Sequence, residues 1–427
     1  MPEPELDVVG IGFGPSNLAM AIAVTEHNAT AGRAVSARFL ERQPGFGWHR
    51  GMLLDDATMQ VSFLKDLVTL RNPTSEFTFL KYLHSRGRLL DFINHKSLFP
   101  LRVEFHDYFS WAADQVSDLV AYDSEVVGVR PADDGRTLEV VARRDGELST
   151  LRARNVVVGT GLRPRLPEGV AASDRIWHTS GLLHNLKRLD GARPRRFVVV
   201  GAGQSAAEAV SCLHGAFPSA EVHAVFSRYG YTPADDSAFA NRIFDPAAVD
   251  DFYDAPAEVK ARLMAYHGNT NYSVVDIDLI DDLYRRAYQE KVLGRERLRM
   301  VNVSRVTKVD ETADGVTAFV RSMVTGEVTA LDADVVVFAT GYHQADPYAV
   351  LGETAALCRT DEQGRPLVRR DYRVVTDPAL QCGIYLQGGT EHTHGITSAL
   401  LSNTAVRVGE ILDSMLARRP AADLIAA

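Results

Sequence analysis

Cysteine is scarce in this chain. Cys212, Cys358 and Cys382 are scattered through 427 residues, with no Cys-x-x-Cys and no metal-ligand spacing. That excludes a dithiol redox centre and leaves three cysteines expected to be buried or incidental, with no metal site. Basic runs are missing as well. The net charge is −9, which argues against nucleic acid and anionic membranes as partners. No apolar run approaches a membrane span, and the opening Met1-Pro2-Glu3-Pro4-Glu5 is acidic, without a signal peptide's apolar core. These absences predict a cytoplasmic protein. Low-complexity segments are also lacking. What is present is an ordinary globular composition, 46% hydrophobic and 24% charged, at a length that holds two or three domains.

The most informative stretch is Asp7 to Leu18. A short β-branched strand runs into Gly10, Gly12 and Gly14, and an alanine-rich helix, Leu18 to Val24, follows. In that context a dinucleotide pyrophosphate sits on a helix N-terminus among backbone amides. Gly10 allows the tight turn and Gly12 the close approach to phosphate. The usual third glycine is Pro15, acceptable in a first helical turn because its missing N–H has no helical partner. A second strand, Ala37 to Glu41, ends in an acid placed to bind a ribose hydroxyl.

The pattern recurs at Arg196 to Glu208. Gly201, Gly203 and Ala206 complete a Gly-x-Gly-x-x-Ala fingerprint. Its second strand, Glu221 to Phe226, ends at Ser227-Arg228, where an acid would otherwise stand. An arginine there suits a 2′-phosphate, so this site reads as NADPH rather than NADH.

Between and beyond the fingerprints, helices are expected at Phe77–Arg86 and from Arg102 onward. Glu125–Val129, Leu138–Ala142 and Leu148–Arg152 read as a β-meander, and Asn155–Gly161 as a separate buried parallel strand. Residues Thr232 to Leu283 break the βαβ rhythm: two polar, turn-forming segments flank a helical piece, Pro256 to Tyr266. They read as an insertion lining a pocket. Strands return at Leu298–Val309, Val316–Arg321 and Asp334–Tyr342, the last mirroring the strand at 156–161. Two dinucleotide units, one with an acid and one with an arginine, imply FAD at the first and NADPH at the second. The predicted fold is α/β: two nested Rossmann-like domains with a small, mostly helical substrate-binding insertion. The FAD domain takes 1–163 and 338–427, and the NADPH domain 164–337, with 232–285 as the insertion.

The motifs then become specific. Gly-x-Gly-Pro-x-Asn-Leu at 12–18, Phe-Leu-Lys-Asp-Leu-Val at 63–68, Asn-Pro-Thr-Ser at 72–75 and Gly-Ala-Gly-Gln-Ser-Ala-Ala-Glu at 201–208 stand in the chain. So do Asp-Asp-Ser at 235–237, Thr-Asn-Tyr-Ser-Val-Val at 270–275, Ala-Thr-Gly-Tyr at 339–342 and Thr-His-Gly-Ile at 393–396. Together they resemble the microbial flavin-dependent N-hydroxylating monooxygenases, nearest the L-ornithine N-monooxygenases of hydroxamate siderophore pathways. The stretch at 67–75 favours the ornithine branch over the lysine branch.

The resemblance implies that NADPH reduces FAD, that O₂ forms a hydroperoxyflavin, and that the δ-amine of L-ornithine attacks its distal oxygen. It implies that Lys65, Asn241 and Asn271 hold the amino acid's α-carboxylate and α-amine, with Thr397 nearby where a serine is common. Gln60 would lie beside the flavin, and Ser205 and Arg228 on NADPH. Trp48, His49, Gln204, Thr340 and Gly341 complete the expected cofactor-binding set. A homotetramer or homodimer is implied. His178-Thr179-Ser180 replaces a common His-Ser-Ser and keeps its hydroxyl. Three alternatives stay open: lysine N(6)-hydroxylation, a catalytically silent flavoprotein in a biosynthetic complex, and another flavin monooxygenase class. The last lacks its Phe-x-Gly-x-x-x-His signature here.

Overall fold

The computed structural model describes residues 5–419. The chain begins with β1 (Leu6–Ile11), turns through the first glycines, and enters α1 (Pro15–Thr30) with proline at its first position. Asn17 to Val24 are all buried on α1, and the helix then continues through the polar Thr25–Thr30. It is therefore longer at both ends than its apolar core predicts. After β2 (Ala37–Leu40) come α2 (Phe79–Ser85), α3 (Leu89–His95) and α4 (Arg102–Gln115), then the short β3 (Val120–Ala121). Phe79, Tyr82, Phe105, Tyr108 and Phe109 form a fully buried aromatic cluster behind this sheet. Burying each such ring stabilises the fold by about 1.5–3 kcal/mol.

The expected meander is β4 (Glu125–Pro131), β5 (Leu138–Arg144) and β6 (Glu147–Val158). The structure corrects one point here. The third meander strand and the expected separate strand at 155–161 are a single β6. Its first half pairs antiparallel with β5, and its second half pairs parallel with β1. The alternating polar pattern gives way to Val156-Val157-Val158 where β6 passes from an exposed sheet into the two-sided core.

The chain leaves this sheet through β7 (Leu162–Pro164) and enters a second, wholly parallel one. Its first three strands are β8 (Ile176–His178), β9 (Arg196–Val200) and β10 (Glu221–Val225), with α5 (Leu182–Leu186) after β8 and α6 (Gln204–Ala216) after β9. Three helices make up the insertion: α7 (Pro246–Asp254), α8 (Ala257–His267) and α9 (Ile277–Val292). Only α8 was legible in the sequence, and α9 runs past the expected end at 285. The expected strand at 298–309 is two, β11 (Leu298–Val301) and β12 (Ser304–Glu311), broken where Val303 takes a left-handed φ of 45°. Then follow β13 (Val316–Ser322), β14 (Val328–Ala333), which the sequence did not suggest, and β15 (Val335–Phe338), which returns to the parallel sheet between β9 and β8.

The return crossing is β16 (Tyr342–Gln344), which pairs antiparallel with β7. Both connections between the two sheets thus run side by side as one ribbon. After α10 (Tyr348–Leu351), β17 (Gly383–Leu386) pairs parallel with β6 and completes the first sheet. The short α11 (Glu391–His394) and then α12 (Thr404–Ala417), packed along α1, finish the described chain. No helix among the described residues is long and apolar enough to cross a membrane.

Candidate functional site

Each glycine of the first turn meets a different constraint. A Cβ on Gly10 would lie 2.1 Å from the Phe39 ring, and one on Gly12, at φ +81°, 2.6 Å from the Gly159 carbonyl oxygen. A Cβ on Gly14 would meet nothing within 4 Å. The protein therefore needs the first two glycines for its own packing, and Gly14 leaves open space ahead of α1 and Pro15. Glu41 is buried beside this turn and accepts from the backbone N–H of Phe13 at 2.6 Å and of Gln43 at 2.9 Å.

Buried amides surround the same turn. Asn17 donates to the carbonyls of Ile11 and Gly12, at 3.2 and 2.7 Å, and accepts from Gln387 Nε2 at 3.0 Å. Gln387 Oε1 is buried without a partner among the described residues, as are both amide atoms of Asn403, the residue before α12. Buried polar atoms without partners are rare in folded proteins and call for a bound group or water. An open turn at a helix N-terminus, a nearby acid and these unpaired amides fit a dinucleotide. Sequence reasoning quoted Asn17 in a motif without a role and missed Gln387 and Asn403.

The loop at 43–49 brings Trp48 against Phe109, with ring centroids 5.2 Å apart, and His49 toward Tyr342 at 6.5 Å. The His49 side chain is exposed to solvent yet closely surrounded by protein atoms. Desolvation, with the Arg102 guanidinium adding, pushes its imidazole down to about 4. At the second glycine turn, Gly201 takes φ +141°, with a Cβ position 2.5 Å from the Ala339 carbonyl oxygen. Gly203 precedes α6, whose first turn holds Gln204 and Ser205. Thr340 and Gly341 brace the crossing ribbon: Arg165 Nε donates to the Thr340 carbonyl and His178 Nε2 contacts the Gly341 carbonyl, each at 2.9 Å. Arg228 is exposed at the mouth of this second turn and donates to the Ser273 carbonyl at 2.9 Å.

The insertion carries two of the expected substrate residues, Asn241 and Asn271, and the first unit carries Lys65 and Thr397. Lys65 is half-buried, its Nζ 5.6 Å from the centre of the Phe244 ring, with no ion-pair partner within 4 Å among the described residues. Burial lowers its pKa, and the neighbouring Asp245 carboxylate pulls the other way. Phe244 and Asn241 share the 3-10 turn Ala240–Phe244, which packs on the turn Ile396–Ala399 holding the buried Thr397. Asn241 Nδ2 braces the loop by donating to the Asp236 carbonyl at 2.6 Å, leaving its Oδ1 free. Asn271 ends the 3-10 turn Gly268–Thr270, and its side chain makes no hydrogen bond among the described residues. The loops of the two asparagines meet where Asp235 N–H reaches the Asn269 carbonyl. The insertion is also tied to the first unit by a hydrogen bond from the Tyr272 hydroxyl to Glu391.

Gln60 is exposed, and its Nε2 lies 3.4 Å from both Thr58 Oγ1 and Asp276 Oδ2. That contact belongs to a closed ring that no motif announced. Asp276 N–H donates to Gln204 Oε1 at 2.8 Å, and Gln204 Nε2 donates to Glu208 at 2.9 Å. Glu208 pairs with Arg102 through both oxygens, and Arg102 Nη2 returns to the Thr58 carbonyl at 3.3 Å. The ring joins the first unit, the second unit and the insertion. Each end of the Gln204 side chain makes one hydrogen bond within the ring, and its backbone N–H stands at the start of α6.

Other clusters are structural. The cysteine thiols are pushed up to about 11 by burial, so they are not thiolates at neutral pH. An open hollow of about 600 Å³ lies between α7 and α12. Its Arg370 is already paired with Asp250 at 2.6 Å and Glu410 at 2.9 Å, a solvated ion-pair network rather than the nucleotide cleft.

Two strand–glycine–helix turns on nested sheets, facing a polar helical insertion, define a two-nucleotide α/β oxidoreductase architecture. The chain belongs to the L-lysine 6-monooxygenase/L-ornithine 5-monooxygenase family, whose model matches residues 4–344. It is 41% identical to the L-ornithine N(5)-monooxygenase of Burkholderia cepacia, over 98% of this chain and 96% of that protein. Among solved structures it resembles the ornithine N-hydroxylase of Kutzneria sp. 744, determined with reduced FAD, NADP+ and L-ornithine. That match has a TM-score of 0.95 at 49% identity, covering 98% of this chain and 100% of the other. The L-lysine 6-monooxygenase of Pseudomonas syringae superposes with a TM-score of 0.85 at 31% identity, covering 97% and 100%.

Proposed function

We propose that this chain is an FAD- and NADPH-dependent monooxygenase that hydroxylates the δ-amine of L-ornithine with O₂. Its product, N-hydroxyornithine, would supply hydroxamate siderophores or related natural products. The higher identity to the ornithine enzyme than to the lysine enzyme supports the branch. The observation that carries the substrate reading is Lys65. A half-buried ammonium with no ion-pair partner within 4 Å among the described residues and only the Asp245 carboxylate in its neighbourhood, where the insertion meets the first unit, suits a ligand carboxylate. An arriving α-carboxylate reverses the pKa shift that burial imposes. The free Asn241 Oδ1 and the uncommitted Asn271 amide then receive the α-ammonium, with Thr397 behind them.

FAD is assigned to Gly10, Gly12, Gly14, Pro15, Glu41, Trp48 and His49, with Gln60 at the reacting end. NADPH is assigned to Gly201, Gly203, the Gln204 backbone, Ser205 and Arg228, with Thr340 and Gly341 at the crossing. Bound FAD, reduced by NADPH, supplies the oxygen chemistry. The protein supplies orientation and exclusion of water. Gripped at its α-end, ornithine presents its δ-amine at a fixed reach. That amine must be neutral to react, and its ordinary pKa of about 10.4 falls on burial. In this reading residues 1–163 and 338–427 are the FAD domain and 164–337 the NADPH domain, and the enzyme works in the cytoplasm as a homotetramer or homodimer.

Product analysis by mass spectrometry, with NADPH oxidation followed in parallel, tests the reading on ornithine and on lysine. Hydroxylated ornithine coupled to NADPH consumption is expected. The extra methylene of lysine should cost about 1–3 kcal/mol in selectivity, with more NADPH oxidised than product formed. Coupled lysine hydroxylation equal to that of ornithine would move the chain to the lysine branch. No product from either would favour the silent flavoprotein.

A further inference from the structure

One face of α9 has no partner among the described residues. Its inner side is anchored by the buried Leu283, with Leu279, Ile280 and Ala287 packed on the core of the second unit. On another side Ile277, Tyr284, Tyr288 and Val292 are 52%, 75%, 62% and 67% exposed. Their spacing puts them on one stripe of a helix. Large apolar side chains gathered on one exposed stripe, two of them tyrosines, have the make-up of a protein interface.

The charges indicate which partner. Asp278, Asp281 and Asp282 occupy the first half of α9, and Arg285, Arg286 and Lys291 the second, where Glu290 is taken up by His214 and Arg297 of the same chain. Asp282 is neutralised within the helix by Arg285 and Arg286. Asp281 and Lys291 are exposed and form no ion pair among the described residues. They stand at equal distances before and after Arg286, as do Tyr284 and Tyr288. A second α9 running antiparallel about a two-fold axis at Arg286 therefore sets acid against base and tyrosine against tyrosine. A parallel pairing would set Asp281 on its own copy, and a partner of uniform charge would match only half the helix. Self-complementarity of this kind is what an isologous two-fold contact requires.

We propose that α9 is the centre of a two-fold contact between two copies of this chain. In it Asp281 faces Lys291 of the partner subunit, and Tyr284 faces Tyr288 of the partner subunit. This adds a surface and a register to the homo-oligomer of the preceding reading and is independent of the reaction assigned there.

Zero-length carbodiimide cross-linking of the full-length holoprotein, with peptide mapping, tests the register directly. Within one helix Asp281 and Lys291 are about 15 Å apart, too far for such a link, so a link between them must join two chains. That link is expected. Sedimentation analysis of variants, with FAD content as the check of folding, tests the surface. Tyr288→Arg should lower the mass of the assembly, and Lys291→Asp should weaken association about tenfold or more. Combining Asp281→Lys with Lys291→Asp should restore association to near the parent value. A monomeric parent overturns both the proposal and the oligomer. An oligomer indifferent to Tyr288→Arg, or a paired charge swap no better than its single variants, overturns the proposal alone.

Discussion

Arg102 on α4 and Glu208 on α6 are 106 residues apart and meet through two hydrogen bonds, of 2.9 and 2.6 Å. Both side chains are largely buried, 11% and 4% exposed. The pair fastens the first nucleotide unit to the second beside His49 and Tyr342, and through Gln204 and Asp276 it reaches Gln60. Removing one partner leaves the other charge buried and alone, which costs about 3–5 kcal/mol. Glu208→Ala should therefore lower the denaturant midpoint markedly, and Arg102→Met with Glu208→Met should lower it less. A midpoint unchanged in Glu208→Ala would show the pair to be dispensable.

The first turn separates two kinds of glycine. Gly12→Ala puts a Cβ 2.6 Å from a carbonyl oxygen at positive φ, so it should destabilise the chain itself. Gly14→Ala meets no protein atom within 4 Å, so the flavin-free protein should melt as the parent does. Its loss should appear as lower FAD occupancy. Melting curves with and without FAD distinguish the two, and full FAD occupancy in Gly14→Ala would remove that glycine from the site.

Arg228 is exposed and held by the Ser273 carbonyl at 2.9 Å, at the place where the second unit lacks an acid. Arg228→Ala should narrow the preference for NADPH over NADH by about 1–3 kcal/mol, the scale of a charge-assisted hydrogen bond. Ratios of kcat/KM for the two nucleotides check this. Equal use of both by the parent enzyme would sink the assignment.

Lys65→Ala should reduce kcat/KM for ornithine by about 2–3 kcal/mol. NADPH oxidation should continue, because Lys65 stands outside the glycine turns assigned to the nucleotides, but without matching hydroxylated product. An unchanged ornithine KM with full coupling would return Lys65 to a structural role.

His394 is buried and stacked on Tyr372 at 4.1 Å. Desolvation foremost, with the Arg370 and Arg407 guanidinium groups adding, lowers its pKa from 6.5 to about 3. The folded value lies below the unfolded one, so its contribution is complete above pH 6.5 and is lost as pH falls toward 3. The loss amounts to a few kcal/mol. Denaturation measured between pH 7 and 4 should show it, and His394→Gln should flatten the slope in that window.

Local pattern made the two glycine turns, α2, α4 and the meander legible, because their turn residues and apolar spacing are short-range signals. It failed wherever a distant element decided the outcome. β6 reads as two strands because its partners change midway. The break at Val303 carries no glycine to announce it. Arg102, Glu208 and Asp276 are ordinary charged residues in sequence, and only the packing of three units makes them a ring. The unpaired amides of Gln387 and Asn403 are likewise invisible until burial is known.

The crossing ribbon of β7 and β16 bears on how the protein is made. The second nucleotide unit has all its strands once synthesis passes Phe338, whereas the first lacks β17 until Leu386 has been made. A chain emerging from the ribosome N-terminus first can close its inner unit while the outer sheet is still missing a strand. The surroundings of the first glycine turn, begun by the earliest residues, are then finished last, when Gln387 reaches Asn17 and α12 docks on α1.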